Sequence, residues 1–234
     1  MSDMLESISI SNKEFPLKVV RGAVVVYDTP SWLKAFTTGR DSGVEALGLR
    51  LEDLALPRQV HSDHVCWMKE AGRPECTDAV ITDKPGLCVC VKTADCIPIL
   101  LYDPRQHIVA AVHAGWRGTV ARIVQKTIRQ MEPLCGDDIH AIIGPGISLE
   151  WFEVGDEVYE AFRAEGFPME RIAKKAARWH IDLWEANRWL LEQMGVVDIF
   201  IEGTCTRASM DFYSARRETI NTGRNYNGIF IKTP

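Results

Sequence analysis

The chain has 234 residues, long enough for one large domain to bury a sizeable core without disulfide or metal staples. Hydrophobic residues make up 46% and charged residues 25%, with a net charge of −5 and a pI near 5.7. That balance excludes the basic electrostatic footprint of a nucleic-acid binder, and no basic run exceeds Lys174-Lys175 or Arg216-Arg217. No apolar run reaches the ~18 residues of a transmembrane helix, so no membrane association is expected. Met1 to Ser11 carries Asp3 and Glu6 and lacks a basic stretch followed by an apolar one, so no secretory leader is expected. The seven cysteines include no Cys-x-x-Cys pair, which fits reduced thiols in a cytoplasmic protein better than a disulfide framework.

In chain order, the first strand is expected over 19–27 (VVRGAVVVY), followed by strands at 64–68, 79–82, 87–91 (LCVCV), 97–102 (IPILLY) and 107–113 (HIVAAVH). As a set they are rich in Val and Ile and punctuated by Gly, Pro and Asp. In LCVCV, Cys88 and Cys90 alternate and are expected to enter one core layer as small hydrophobes. Next comes a helix from Thr119 to Met131, where Val120, Ile123, Val124, Ile128 and Met131 recur at helical spacing. A strand follows at 139–143, then a helix at 154–165. The charged run 169–178 (MERIAKKAAR) reads as a solvated helix face. From Asp182 to Met194 a third helix carries a capping-box pair, Asp182 with Glu185, and ends at Gly195. Strands at 197–201 and 228–232 complete the series. Several strands are apolar throughout, which implies sheets covered on both faces. The reading is one layered α/β domain over residues 1–234.

Three segments lodge polar residues among apolar and small ones: Arg58-Gln59-Val60-His61, Thr93-Ala94-Asp95-Cys96-Ile97-Pro98 and Val112-His113-Ala114-Gly115-Trp116-Arg117-Gly118. The last lies where a strand ends and a helix begins, the usual place for ligands in α/β folds. His61, Cys96 and His113 form a His₂Cys set that suits zinc. Three protein ligands leave a fourth tetrahedral position open to water or substrate. Chain separations of 35 and 17 residues are too long for a zinc finger and suit a catalytic site built from separate strands. Asp95 is either an orienting partner of a ligand or a turn residue. Trp116 is either a stacking surface for a base or packing beneath the glycine turn. Gly144-Pro145-Gly146 is either a phosphate loop or a plain turn. His64, His107 and His180 are expected to be ordinary polar residues.

The segments QVHSDHV, TADCIPILLYD, VHAGWRGT, IGPGIS with FEVGDEV, and GTCT with FYSARR and TGR resemble the YfiH-like family. That family is described variously as laccase-like multicopper polyphenol oxidoreductase, purine nucleoside phosphorylase and peptidoglycan editing factor. The resemblance runs from about residue 35 to the C-terminus. It implies a four-layer α/β/β/α sandwich related to the catalytic domain of cytotoxic necrotizing factor toxins. It also implies metal ligation by His61, Cys96 and His113, with zinc as the ion and copper as an alternative. Arg117 is then expected to hold phosphate or ribose. Arg40, Asp95, Trp116, Cys205, Arg216, Arg217 and Arg224 are further candidates around the substrate, although a buried structural role for Cys205 competes.

What the resemblance implies about function is phosphorolysis of adenosine, inosine, guanosine and methylthioadenosine, together with deamination of adenosine; independently of it, a monomer is expected. The usual zinc-deaminase signature, His-x-Glu with Pro-Cys-x-x-Cys, is absent. A competing reading is an amidase or dipeptidase that edits nucleotide-linked muramoyl peptides with the same metal site. Copper-dependent polyphenol oxidation ranks lower, because a multicopper centre needs many histidines and this chain has six without a His-x-His pair. A non-catalytic binding module ranks lowest.

Overall fold

The computed structural model describes residues 18–20, 24–131, 138–196 and 198–233. In chain order its strands begin with β1 (Lys18–Val20), β2 (Val24–Val26), β3 (Leu33–Thr38), β4 (Leu54–Ala55), β5 (Val65–Trp67), β6 (Ala79–Thr82) and β7 (Cys88–Thr93). They continue with β8 (Ile97–Asp103), β9 (Ile108–Ala114), β10 (His140–Ile143), β11 (Glu153–Val154), β12 (Ala173–Lys175), β13 (Trp179–Ile181), β14 (Asp198–Ile201) and β15 (Asn225–Ile231). The helices are α1 (Trp116–Val120), α2 (Ile123–Met131), α3 (Asp156–Ala164), α4 (Met169–Ile172) and α5 (Leu183–Glu192).

Among the described residues one sheet runs β1-β2-β3-β15-β7-β4 and a second runs β14-β10-β8-β9-β6-β5. A small third sheet, β11-β13-β12, flanks them. The two large sheets pack face to face: Leu33, Ala35, Val89, Val91, Ile229 and Ile231 of the first meet Val80, Leu100, Val109, Ala111 and Ile142 of the second. The other face of the second sheet, including Ile81, Ile99 and Val112, is covered by Ile123, Val124 and Ile128 of α2, Phe162 of α3, and Leu183 and Leu190 of α5. Both faces of these central strands are therefore buried, which is why their sequences are apolar throughout rather than alternating.

The outer face of the first sheet carries Phe36, Cys88 and Cys90 beneath Val44, Leu54 and Leu56. The two cysteines share one layer, as their alternation predicts. In place of the α-helical fourth layer expected there, the described residues provide two short 3₁₀ turns, Val44–Leu47 and Leu51–Asp53.

Three expectations change. The run 19–27 is a pair of short antiparallel strands, β1 and β2, and its residues 21–23 lie outside the described residues, as does residue 197 of the strand expected at 197–201. The helix expected from Thr119 to Met131 starts earlier and breaks at Arg122, which adopts φ +62°. A left-handed non-glycine residue costs about 1–2 kcal/mol. The Arg122 guanidinium compensates by donating to the Glu165 carbonyl at 2.6 Å and lying over the Phe167 and Trp189 rings. The charged run 169–178 is one turn of helix, α4, followed by β12, whose main chain pairs with β13. Pairing in the small sheet overrides the run's helical composition. The last helix behaves as its caps dictate. Asp182 accepts from the Glu185 N–H at 3.0 Å, and left-handed Gly195 lets the Val196 N–H reach the Leu191 carbonyl.

Candidate metal centre

Each member of the trio sits at the edge of the space between the two large sheets. His113 is in phase with Val109 and Ala111 on β9, so it points into the inter-sheet layer near the strand end, and it is buried. Cys96 directly precedes β8, whose Pro98 is paired with His113. His61 comes from the loop before β5 and is exposed. The ligand atoms of His61, Cys96 and His113 all lie within 4.8 Å of one another, and His61 Nε2 is 3.8 Å from Cys96 Sγ. No other such group of His, Cys, Asp or Glu is present among the described residues.

Backbone geometry brings the loops in. His61 has φ +62° and Asp95, next to Cys96, has φ +90°. Strained non-glycine residues persist only where their surroundings over-determine them, and at both positions the surroundings are visible. A Cβ added to Gly115 would lie 3.0 Å from both Cys96 Sγ and His61 Cδ2. A side chain here would press on both ligand side chains and shift them by a few tenths of an ångström, so glycine keeps the turn after β9 close to the ligands without displacing them.

Asp78 ties the site together, and sequence reasoning missed it. It precedes β6, and its carboxylate accepts from His113 Nδ1 at 2.7 Å, from the backbone N–H groups of Val60, His61 and Ser62, and from the Ser62 hydroxyl. One buried carboxylate thus orients the His113 ring and folds the His61 loop around itself. With Nδ1 committed to Asp78, Nε2 of His113 is the nitrogen left for a metal, the carboxylate–histidine arrangement common at metal sites. Burial alone would raise the Asp78 pKa. The hydrogen bonds from His113 and Ser62 reverse this and hold the carboxyl well below the usual range.

The same opposition governs the ligands in the metal-free protein. Burial disfavours the Cys96 thiolate, but the charge and hydrogen bond of His113, then His61, draw its pKa down to about 6. Burial disfavours the His113 imidazolium, but the Cys96 sulfur and then the Asp78 hydrogen bond push its pKa up to about 9. The pair is therefore thiolate–imidazolium near neutral pH, and the thiolate is the form that binds metal. Donor chemistry, spacing and the Asp78 brace all fit a single zinc-like ion.

Two pockets meet at the trio and share His61 and Cys96. One is polar and lined by Gln59, Lys92, Ala94, His113, Ala215, Ile220 and Arg224. The other is apolar, walled by Trp116, Ile147, Phe152 and Leu183, with Asp95 and Arg117 at its margin. Gln59 closes the first pocket to β7 like an added strand residue. Its amide donates to the Lys92 carbonyl and accepts from the Lys92 N–H, both at 2.8 Å. Arg117 is exposed and lies over the Trp116 ring, 4.4 Å from its centroid.

The structure separates the other candidates. Asp95 does not touch the ligands through its side chain; it accepts from the Thr206 hydroxyl at 2.7 Å and the Arg216 N–H at 2.6 Å. It therefore ties the C-terminal loops to the Cys96 turn. The Arg216 guanidinium donates to the Trp151 and Glu153 carbonyls, and that of Arg217 donates to the Thr206, Ser209 and Phe212 carbonyls. Arg40 pairs with Glu218 and lies over Tyr213. These three arginines staple loops and do not line either pocket. Cys205 accepts from the Ser148 N–H at 3.4 Å and lies outside both linings. The glycine turn at 144–146 commits its N–H groups to the Pro98 and Thr204 carbonyls, so it is a turn rather than a phosphate cradle. His64 is exposed beside β5, His107 stacks on Trp32, and His180 contacts the Leu149 carbonyl.

Comparison with known proteins places the chain among relatives and solved structures of the same fold. The family model described as multi-copper polyphenol oxidoreductase laccase matches residues 28–232. A protein of Bacteroides thetaiotaomicron named purine nucleoside phosphorylase is 45% identical over 199 residues, covering 77% of this chain and 74% of its own. A protein of an unknown prokaryotic organism named adenosine deaminase RL5 is 41% identical over 204 residues, covering 80% and 78%. The crystal structure of the hypothetical protein YfiH from Bacillus licheniformis superposes with a TM-score of 0.86 at 23% identity, covering 93% of this chain and 99% of that one. YlmD from Geobacillus stearothermophilus gives 0.84 at 24% identity, covering 94% and 100%. These two likenesses show the fold.

Proposed function

From the premise that the chain belongs to the YfiH-like family, whose model is described as multi-copper polyphenol oxidoreductase laccase, we propose that it is a zinc-dependent enzyme of purine nucleosides. Its principal reaction is phosphorolysis of adenosine, inosine, guanosine and methylthioadenosine. The observation that carries this reading is the position of His61, Cys96 and His113 at the junction of a polar, cationic pocket and an apolar, aromatic one. A nucleoside has the same division: a flat base, and a sugar that must meet an anion. The names of the relatives support the substrate class.

His61, Cys96 and His113 would hold the ion, which when bound supplies Lewis acidity toward a substrate oxygen or water. The chain's own groups do the rest. Trp116, Ile147 and Phe152 present flat and apolar surfaces to the base and exclude water from it. In phosphorolysis a phosphate oxygen bonds to ribose C1′ as the C1′–N9 bond breaks. The purine leaves with the electron pair and takes up a proton.

Deamination of adenosine stands second. Asp95 is the one carboxylate in the two linings, and both its oxygens already accept hydrogen bonds, so no free carboxylate is at hand to relay protons. A single cluster of donor side chains among the described residues supports one ion rather than a multicopper centre. The same proposal takes the architecture as one domain related to the catalytic domain of cytotoxic necrotizing factor toxins.

The test is to incubate metal-loaded protein with inosine or adenosine, with and without phosphate, and to follow free base, ribose phosphate and ammonia. Phosphate-dependent release of base is expected. Absence of turnover of every purine nucleoside overturns the reading and turns attention to nucleotide-linked muramoyl peptides.

A further inference from the structure

Lys92 occupies a position that the folded chain leaves electrostatically unanswered. The alternation that buries Cys88 and Cys90 on the outer face of β7 carries Lys92 to the strand end, where it lines the polar pocket beside His61, Cys96 and Arg224. Among the described residues Lys92 makes no ion pair and its side chain donates no hydrogen bond, although its main chain is clamped by Gln59. Arg224 is the second cation of the lining. Its guanidinium donates to the carbonyls of Ile220, Thr222 and Gly223, which fixes the loop but neutralises no charge. No carboxylate lines this pocket.

Partial burial, together with the nearby Arg73 and Arg224 cations, lowers the Lys92 pKa. Like charges are thus gathered without a counter-charge next to three metal-competent side chains. Folding gains nothing from that arrangement, whereas an incoming anion would gain from every part of it. On the other side of the trio, Arg117 is spread over Trp116 at the margin of an apolar pocket.

We propose that Lys92, with Arg224, is the subsite for an anionic co-substrate of the phosphate type. The anion then enters from the polar pocket and the base lies on the Trp116 and Phe152 side. This assigns the phosphate to the polar pocket and away from Arg117, the residue to which the family resemblance gives phosphate or ribose. The identity of the anion rests on the nucleoside phosphorolysis reading; the presence of an anion subsite rests on the cluster itself.

The experiment uses the metal-loaded full chain and inorganic phosphate as probe. Phosphate affinity is read by calorimetry for wild type, Lys92→Met and Lys92→Arg, with thermal melts to check folding. Lys92→Met is expected to weaken phosphate binding by about tenfold or more, the scale of one charge-assisted hydrogen bond, and Lys92→Arg to recover most of it. In turnover, Lys92→Met should raise the KM for phosphate and leave that for the nucleoside within about twofold.

Wild type that binds no phosphate at millimolar concentration overturns the subsite, as does a folded Lys92→Met protein that binds it like wild type. Loss of phosphate affinity in Arg117→Met but not in Lys92→Met also overturns it. Phosphate binding that depends on Lys92 without turnover of any nucleoside keeps the subsite and removes the nucleoside reading. Phosphorolysis with an unchanged phosphate KM in Lys92→Met does the reverse.

Discussion

Replacing Asp78 by Asn removes the charge that braces His113 while keeping the size of the side chain. Five groups donate to that carboxylate, on three consecutive residues of the His61 loop and on His113. We expect Asp78→Asn to lower zinc affinity by about 10–100-fold, the usual effect of losing such a partner, as measured by competition with a chromogenic chelator. Folding depresses the Asp78 pKa. Its contribution to stability is therefore full above about pH 4 and drains away as the pH falls further. The acid limb of a stability–pH curve should flatten in the Asn variant.

The thiolate–imidazolium state of Cys96 and His113 makes a second prediction. Near pH 7.5, between the two pKa values of about 6 and about 9, His113 must lose its Nε2 proton to bind metal while Cys96 has already lost its own. Zinc binding should release about one proton from this pair, read from calorimetry in buffers of different ionisation enthalpy. Release of a further proton should appear as the pH falls through the Cys96 value.

At the scale of elements, the break between α1 and α2 is where helical periodicity and geometry part. Apolar spacing over 119–131 is genuine and buries Ile123, Val124, Ile128 and Met131, but periodicity carries no sign of a left-handed residue between two helices. Arg122→Ala keeps the strained φ and loses the ring contacts. Arg122→Gly loses the same contacts and relieves the strain, so it should be the more stable of the two by about 1 kcal/mol in denaturant unfolding.

The long central strands, β6 to β10, were legible because both faces are buried and their runs are unmistakably apolar. Short strands such as β4, β11 and β12 were not, since each is specified by its neighbour rather than by its own composition. The His61, Cys96 and His113 trio was legible from polar residues lodged in apolar motifs. Asp78 was not, because its role depends on β6 pairing with β9, which puts it opposite His113. Lys92 had a readable signal that went unused: it is the next residue in phase after Cys88 and Cys90. Arg40, Arg216 and Arg217, which the family resemblance makes candidates around the substrate, have guanidinium groups engaged with loop carbonyls and Glu218, partnerships that sequence motifs do not display.

For the molecule as a whole, the site is assembled from the loop before β5, the turn between β7 and β8 and the end of β9, with the C-terminal loops closing over Asp95. A ligand held at this meeting point stabilises the folded form against an unfolded chain that lacks the site. Chelator treatment should lower the Tm, and stoichiometric zinc should restore it. Asp95→Ala, which removes the acceptor for Thr206 and the Arg216 N–H, should reduce stability by about 2–4 kcal/mol and weaken metal retention, measured by unfolding and by metal analysis of the same sample.

The most direct measurement is turnover of inosine with phosphate by one preparation assayed as purified, after removal of metal, and after reloading with one equivalent of zinc, with Cys96→Ser in parallel. Phosphate-dependent release of hypoxanthine is expected to disappear with the metal, to return with zinc and to be absent from the variant. Full turnover by protein verified to be metal-free, or by folded Cys96→Ser, would contradict it.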